Sequence, residues 1–401
     1  MAQRKDQSAQ KESIGQVATD PMLLVGISLI ANIPVVTVGP PGGAKTSMHT
    51  ELCDRLGWYF EPAILSTWDP ADVGGVMMPD QSRQRSVRLL PDFFVALMEE
   101  GQKRNCLLYL DEISHATRAS SAAALRLVNE RSIGKAKMPD TVRIAASMNS
   151  VEDGGQFLLS KPMANRMVHV PWKLQLDRWL QHMRGLDSLK NSLDLLDGER
   201  AKNWEVCLPH AQGLIAMFMQ AKPNALWPDR TLTDEEAGGP WPSPRSWKNA
   251  ARLCAVAEKL GLDGTAVQTD LMRCTVGDGG AMEFMSWVKS AELEDPEEIL
   301  LDPQKAELPK RDDVAFALLG AISAAVACNL TSKRWDMAWA YFDRVAKARG
   351  VDIVAPAARE LCVLYRSNLN NGEKGKGKLQ LELPETLELF LPMFKMLGYL
   401  K

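Results

Sequence analysis

The stretch VVTVGPPGGAKT (35–46) decides the fold. Val35, Val36, Thr37 and Val38 are all β-branched and carry no charge, which predicts a short strand buried on both faces. The turn that follows, Gly39-Pro40-Pro41-Gly42-Gly43-Ala44-Lys45-Thr46, stands between that strand and a helix-like run, where a phosphate-binding loop has to stand. Successive backbone N–H groups of such a turn, with the positive end of the following helix, form a cradle for phosphate oxygens. Lys45 adds a cation, and the Thr46 hydroxyl is a ligand for Mg²⁺. The general pattern asks for glycine where Ala44 stands. The plainer alternative is a strand–turn–helix with a surface lysine.

Working outward, residues 21–44 are uncharged throughout, but Asn32 and Pro34 divide them into a helical piece over 22–31 and the 35–38 strand, so they are not read as a membrane span. Further buried strands are expected at Asn105–Leu110, Val142–Ala146 and Met167–Val170. Their alternation with helical sequence predicts a parallel α/β sheet with both faces covered. The first of these strands runs into Asp111-Glu112. At the carboxyl edge of a parallel sheet, beside the phosphate loop, Asp111 can hold the metal shell and Glu112 can polarise a water for in-line attack on a γ-phosphate. Two acids at a strand end are otherwise solvated surface charge. Asn149 follows the next strand and can orient that water or touch the phosphate, although an isolated Asn there is also a turn former. Arg166 precedes the last strand, where its paired donors suit a phosphate of a neighbouring subunit or an ordinary surface ion pair.

The chain of 401 residues, at about 150 per domain, is long enough for two to three domains. It is 46% hydrophobic and 24% charged, with 47 basic and 50 acidic side chains, a formal net charge of −3. A near-neutral chain is no polybasic membrane arm, and it argues against nucleic acid, whose phosphates demand a basic groove. The seven cysteines contain no CxxC pair, and the five histidines no HxxxH or HExxH, so free thiols in a reducing, cytoplasmic compartment are expected and no zinc. The start MAQRKDQSAQKES has no apolar core of a signal peptide. Beyond Trp172 the texture becomes helical, interrupted by a Pro, Gly and Trp-rich loop over 222–244 and a proline-punctuated connector over 294–313. A further helical region is expected to begin near Val314. NNGEKGKGK (370–378) reads as a linker before a last apolar stretch at 383–400. The spacing of Met217 and Met219, of Trp335 and Trp339, and of Met337 and Tyr341 marks them as core.

GPPGGAKT (39–46), LLYLDE (107–112), SMN (147–149), ANR (164–166) and Ser243-Pro244-Arg245 resemble, in order and spacing, the motifs of AAA+ ATPases, and the Ala44-Lys45 form of the loop is similar to the MoxR branch. The resemblance covers roughly residues 20–290. It implies a P-loop NTPase (AAA+) α/β core at 19–176 behind a polar tail at 1–18, an all-α lid at 177–290 and a helical C-terminal extension at 291–401. By it, Gly39 to Ser47 bind ATP, with Lys45 and Thr46 as Walker A, and Asp111 and Glu112 are Walker B. Asn149 is sensor 1, Arg166 the trans-acting arginine finger and Arg245 sensor 2 on the lid. Asn165 and Met167 depart from the family's Asp-Arg-Phe around the finger. Trp68 to Gly75 resembles the Asp-x-x-Gly segment before a helix-2 insertion, so 77–91 is expected to form a protruding hairpin whose Arg83, Arg85 and Arg88 contact a substrate. The implied activity is Mg²⁺-dependent ATP hydrolysis in a homo-oligomeric, hexameric ring that remodels or assembles a protein partner, often one bearing a von Willebrand factor A domain. The alternative reading is a nucleotide-gated scaffold or filament-forming regulator with slow hydrolysis.

Overall fold

The computed structural model describes residues 19–80, 82, 85–150, 152, 153, 155, 158–173, 175–186, 200–227, 231–290, 294–373 and 381. The tail at 1–18, Arg83, the last apolar stretch at 383–400 and residues 374–378 of the expected linker lie outside these. The chain divides into two compact units: the described residues of Met1–Leu195, Arg230–Trp241 and Asp270–Gly280, and those of Leu196–Asp229, Pro242–Thr269 and Ala281–Lys401.

The first unit is built on a five-stranded sheet in the order β2 (Tyr59–Ile64), β5 (Cys106–Asp111), β8 (Val142–Met148), β1 (Val35–Val38), β9 (Val168–Pro171), with every neighbouring pair parallel. Cys106 to Leu110 are all buried, as a strand covered on both faces requires. β2 has no apolar run that marks it in the sequence, because Glu61 and Pro62 interrupt it. Within the sheet it pairs with β5 alone, and an edge strand tolerates a proline that donates no ladder bond. The uncharged run at 21–44 opens with α1 (Pro21–Ile30), whose start is capped by Asp20 accepting from the Met22 N–H at 3.0 Å. α1 is apolar on every side and accordingly almost wholly buried. No described helix is long and apolar enough to cross a membrane.

α2 (Lys45–Leu56) follows the phosphate loop and stops at Gly57, whose φ of 65° supplies the left-handed turn of a helix end. After α3 (Pro70–Gly74), β3 (Val76–Asp80) and β4 (Arg85–Leu89) form the expected antiparallel hairpin. Val76, Met77 and Leu89 on it are about half exposed. Arg88, expected to reach a substrate, is committed to the chain itself: its Nη1 donates to Gly74 O at 2.5 Å and Gly75 O at 3.2 Å, tying the hairpin to the end of α3. The remaining elements that position the site are α4 (Asp92–Glu100), α5 (Arg118–Glu130), the short hairpin of β6 (Ser132–Ile133) and β7 (Ala136–Lys137), α6 (Lys161–Ala164) and α7 (Leu176–Met183).

The second unit is helical. Helix Leu208–Ala221, from the segment expected as lid, packs against helix Asp312–Cys328, from the segment expected as extension, so the two segments share one core. Glycine makes the contact close: a side chain at Gly213 would enter Ala317, and one at Gly320 would enter the backbone of Pro209 and His210. Phe218 gathers Trp247 and Phe284 around it at ring separations of 5.6 and 5.3 Å. Trp335, Trp339 and Tyr341 are buried as their spacing predicts, with Met217; Met219 and Met337 are half-buried. Residues 370–373 of the expected linker close helix Val351–Glu373.

Candidate functional site

Sheet order assembles the site. β5, β8 and β1 are consecutive neighbours pointing the same way, so the residues that leave their carboxyl ends emerge side by side. Those residues are Asp111 and Glu112 after β5, Asn149 after β8, and the loop from Gly39 after β1.

The loop bends through two left-handed residues, Gly42 at φ 74° and Ala44 at φ 61°, ψ 25°. The second explains why glycine is asked for at position 44: a Cβ in that region costs roughly 1–2 kcal/mol. Ala44→Gly removes that cost while adding backbone freedom to the unfolded chain worth somewhat less. It is therefore expected to stabilise the protein by up to about 1 kcal/mol, read as a higher urea midpoint at unchanged m-value.

Lys45 opens α2, buried to 9% exposure. Burial lowers its pKa, and the charges of Asp111 and Asp153 oppose that shift. Its ammonium donates to Gly39 O at 2.8 Å, Pro40 O at 2.9 Å and Asn149 Oδ1 at 3.0 Å. An ammonium has three donors, so all are spent and a phosphate oxygen must displace at least one partner. Thr46 Oγ1 donates to Asp111 Oδ2 at 2.8 Å. The other Asp111 oxygen accepts from the Glu112 N–H at 3.0 Å and from Ser147 Oγ. Glu112 is itself left-handed at φ 54°, an unfavourable conformation for a side-chain-bearing residue, and its Oε2 accepts from Ser66 Oγ at 2.5 Å. The structure thus joins loop, acidic pair and amide directly through Lys45–Asn149 and Thr46–Asp111.

A hydroxyl and a carboxylate are hard oxygen donors of the kind Mg²⁺ takes, and Thr46 and Asp111 already touch. Among the described residues no group of three His, Cys, Asp or Glu side chains is placed to hold a metal. Ser47 is exposed on the first turn of α2. Arg166, between α6 and β9, is partly exposed and donates from Nε to Asn129 Oδ1 at 2.7 Å and from a terminal nitrogen to Pro162 O at 2.5 Å. Arg245 belongs to the second unit. It is exposed in the first turn of helix Pro244–Lys259, behind the Ser243 cap that accepts from the Ser246 N–H at 3.1 Å.

The sequence assigned no role to Ser66, Ser147, His49 or Trp172, although Ser147 lies within the SMN motif. Ser66 lies just past an unrecognised strand, and Ser147 touches Asp111 only through the β5–β8 pairing. His49 is fully buried, its pKa pushed down to about 4 by desolvation, and its ring lies 4.7 Å from that of Tyr109, whose own hydroxyl burial pushes up to about 12. Trp172, the second residue past Val170, donates its indole N–H to Gly43 O at 2.6 Å. The signal available for it was an indole at the end of a buried strand, where an N–H needs a partner.

Residues 34–167, about a third of the chain, match the family model of the AAA domain (dynein-related subfamily). A solved structure provisionally described as an ATPase of Cytophaga hutchinsonii is similar at 14% identity and a TM-score of 0.40, over 64% of this chain and 80% of that one. No curated protein matches the chain. The parallel sheet, its loop and the matched domain together give the first unit the P-loop AAA+ fold, with a helical region following it. Nucleotide binding and ATP hydrolysis are the general activities that go with that domain.

Proposed function

We propose that the protein hydrolyses Mg²⁺-bound ATP in a homo-oligomeric ring, hexameric as the MoxR resemblance implies, and uses the turnover to remodel or assemble a protein partner. The observation that carries the hydrolytic part is the pair of contacts Lys45–Asn149 and Thr46–Asp111, which set a cation, a metal-binding hydroxyl, a carboxylate and an amide around one loop. A metal bound by Thr46 and Asp111 would offset charge on the phosphates.

The protein's own groups do the rest by positioning and charge compensation, the main resources of phosphoryl transfer. The amides of Gly42 to Lys45 receive phosphate oxygens. Lys45 exchanges its bond to Asn149 for one of them, which leaves the Asn149 amide to turn to the same phosphate. Glu112 orients the attacking water and takes its proton, which requires it to give up its bond to Ser66. Arg166 of a neighbouring copy completes the charge around the terminal phosphoryl, and Arg245 is given the part of sensor 2 by the resemblance of Ser243-Pro244-Arg245 alone. A partner with a von Willebrand factor A domain fits this reading through the MoxR resemblance of the Ala44-Lys45 loop.

The remodelling part is tested by a pull-down with the Glu112→Gln protein. Held in the ATP state, it is expected to retain a partner that ADP releases; recovery of the same proteins with either nucleotide contradicts remodelling.

A further inference from the structure

We infer that Trp172 is a positioning residue for the nucleotide loop, clamping it at both ends so that the Ala44 amide is turned toward the phosphates. The inference rests on the nucleotide-binding reading above and adds a residue to it.

Three observations meet at this residue, the first through its backbone and the other two through its indole. At the start of the loop, the Trp172 backbone N–H donates to Val38 O at 2.7 Å, and the Trp172 backbone carbonyl lies so close to Gly39 that any Cβ there would enter it. At the end of the loop, its indole Nε1–H donates to Gly43 O at 2.6 Å, and the indole edge would touch a Cβ at Gly43 at 3.3 Å. Beneath the loop, the indole lies 6.0 Å from the His49 ring, which in turn lies 4.7 Å from Tyr109, two residues before Asp111 on β5. His49 Nδ1 is 2.8 Å from Lys45 O, which ties the same stack to the first turn of α2. Trp172 is 2% exposed, so water does not compete for its N–H.

The consequence follows from peptide geometry. In a trans peptide the C=O of one residue and the N–H of the next point in opposite directions, and among the described residues no peptide bond is cis. Pinning the Gly43 carbonyl to the indole therefore aims the Ala44 N–H away from Trp172, to the open side of the loop. The same peptide leads into Ala44, held left-handed against its preference. Without the indole bond the Gly43–Ala44 peptide is free to rotate into a conformation an alanine prefers. The amide is then lost to the phosphate until binding pays to restore it. Glycine at 39 and 43 is explained by the same clamp, since each residue lies against Trp172.

The test compares wild type with Trp172→Phe, which keeps an aromatic ring and removes the donor, and with 3-benzothienylalanine placed at 172, an indole-shaped side chain that lacks only the N–H. Affinity for ATP and ADP is measured by calorimetry, together with KM, kcat and the thermal midpoint. One neutral hydrogen bond converts to roughly a three- to tenfold loss of nucleotide affinity. Both variants are expected to show that loss in Kd and in KM, with kcat within about twofold of wild type and the benzothienyl protein melting as wild type does. A merely structural tryptophan would move the melting temperature and leave Kd and KM alone. Unchanged affinity in the benzothienyl protein, whatever the phenylalanine variant does, overturns the assignment of Trp172 while wild-type binding upholds the nucleotide site. Absence of binding by wild type overturns both.

Discussion

Glu112→Gln is expected to leave ATP binding intact and to slow phosphate release by on the order of 10²- to 10⁴-fold, the usual contribution of a positioned general base. The substitution is well matched to its purpose. A glutamine has the same length and keeps a carbonyl oxygen for the 2.5 Å bond from Ser66 Oγ, so the side chain can stay in place. The Glu112 N–H still bonds Asp111, and Thr46 still bonds Asp111 from the other side. What is lost is the capacity to take a proton from water. Single-turnover phosphate release at saturating ATP, alongside equilibrium binding, separates the two effects. Turnover within a few-fold of wild type assigns the water to another group; loss of binding shows that Glu112 supports the loop instead.

Arg166→Ala is expected to cost on the order of 10³-fold or more in turnover, with little loss of ATP affinity for the isolated chain. The reason lies in the charge around the phosphates. Lys45 is the cation at the loop, its donors are already divided among three acceptors, and burial lowers its pKa. The triply charged group in transfer needs a second cation. Arg166 is held by Asn129 and Pro162 at a partly exposed position between α6 and β9, which suits presentation to a neighbouring copy. Mixing provides the decisive readout. A chain carrying Arg166→Ala retains its own Glu112, and a chain carrying Glu112→Gln retains its own Arg166. Each protein alone is expected to be inactive, and a mixture to recover activity where a Glu112→Gln chain lends its arginine to an Arg166→Ala neighbour. Failure to recover, with mixed oligomers verified by mass, places the arginine in its own chain's site or outside any site.

The parts of the first unit that are legible in sequence are those whose cause is local. A β-branched run followed at once by a glycine-rich turn announces β1, the loop and α2 without reference to anything distant. An apolar run ending in two acids does the same for β5. β2 is illegible for an equally local reason: Glu61 and Pro62 erase the apolar pattern, and the strand survives because an edge position asks less of it. Ser66, Ser147 and Trp172 are illegible for a different one. Their bonds to Glu112, Asp111 and Gly43 exist because the sheet sets β2, β5, β8, β1 and β9 in that order, and no spacing along the chain encodes that order. In the second unit the helices are legible, but their shared core is not. It depends on Gly213 and Gly320 meeting the other helix, and a glycine within a helical pattern reads in sequence as a weakness rather than a contact.

Every step proposed for this protein needs a nucleotide seated at the loop that ends in Lys45. Titration of ATP with Mg²⁺ into wild-type and Lys45→Ala protein in a calorimeter tests this most directly. Saturable binding is expected of the wild type, and Lys45→Ala is expected to abolish it without unfolding. Equal binding by the two proteins, or none by the wild type, contradicts a nucleotide seated there.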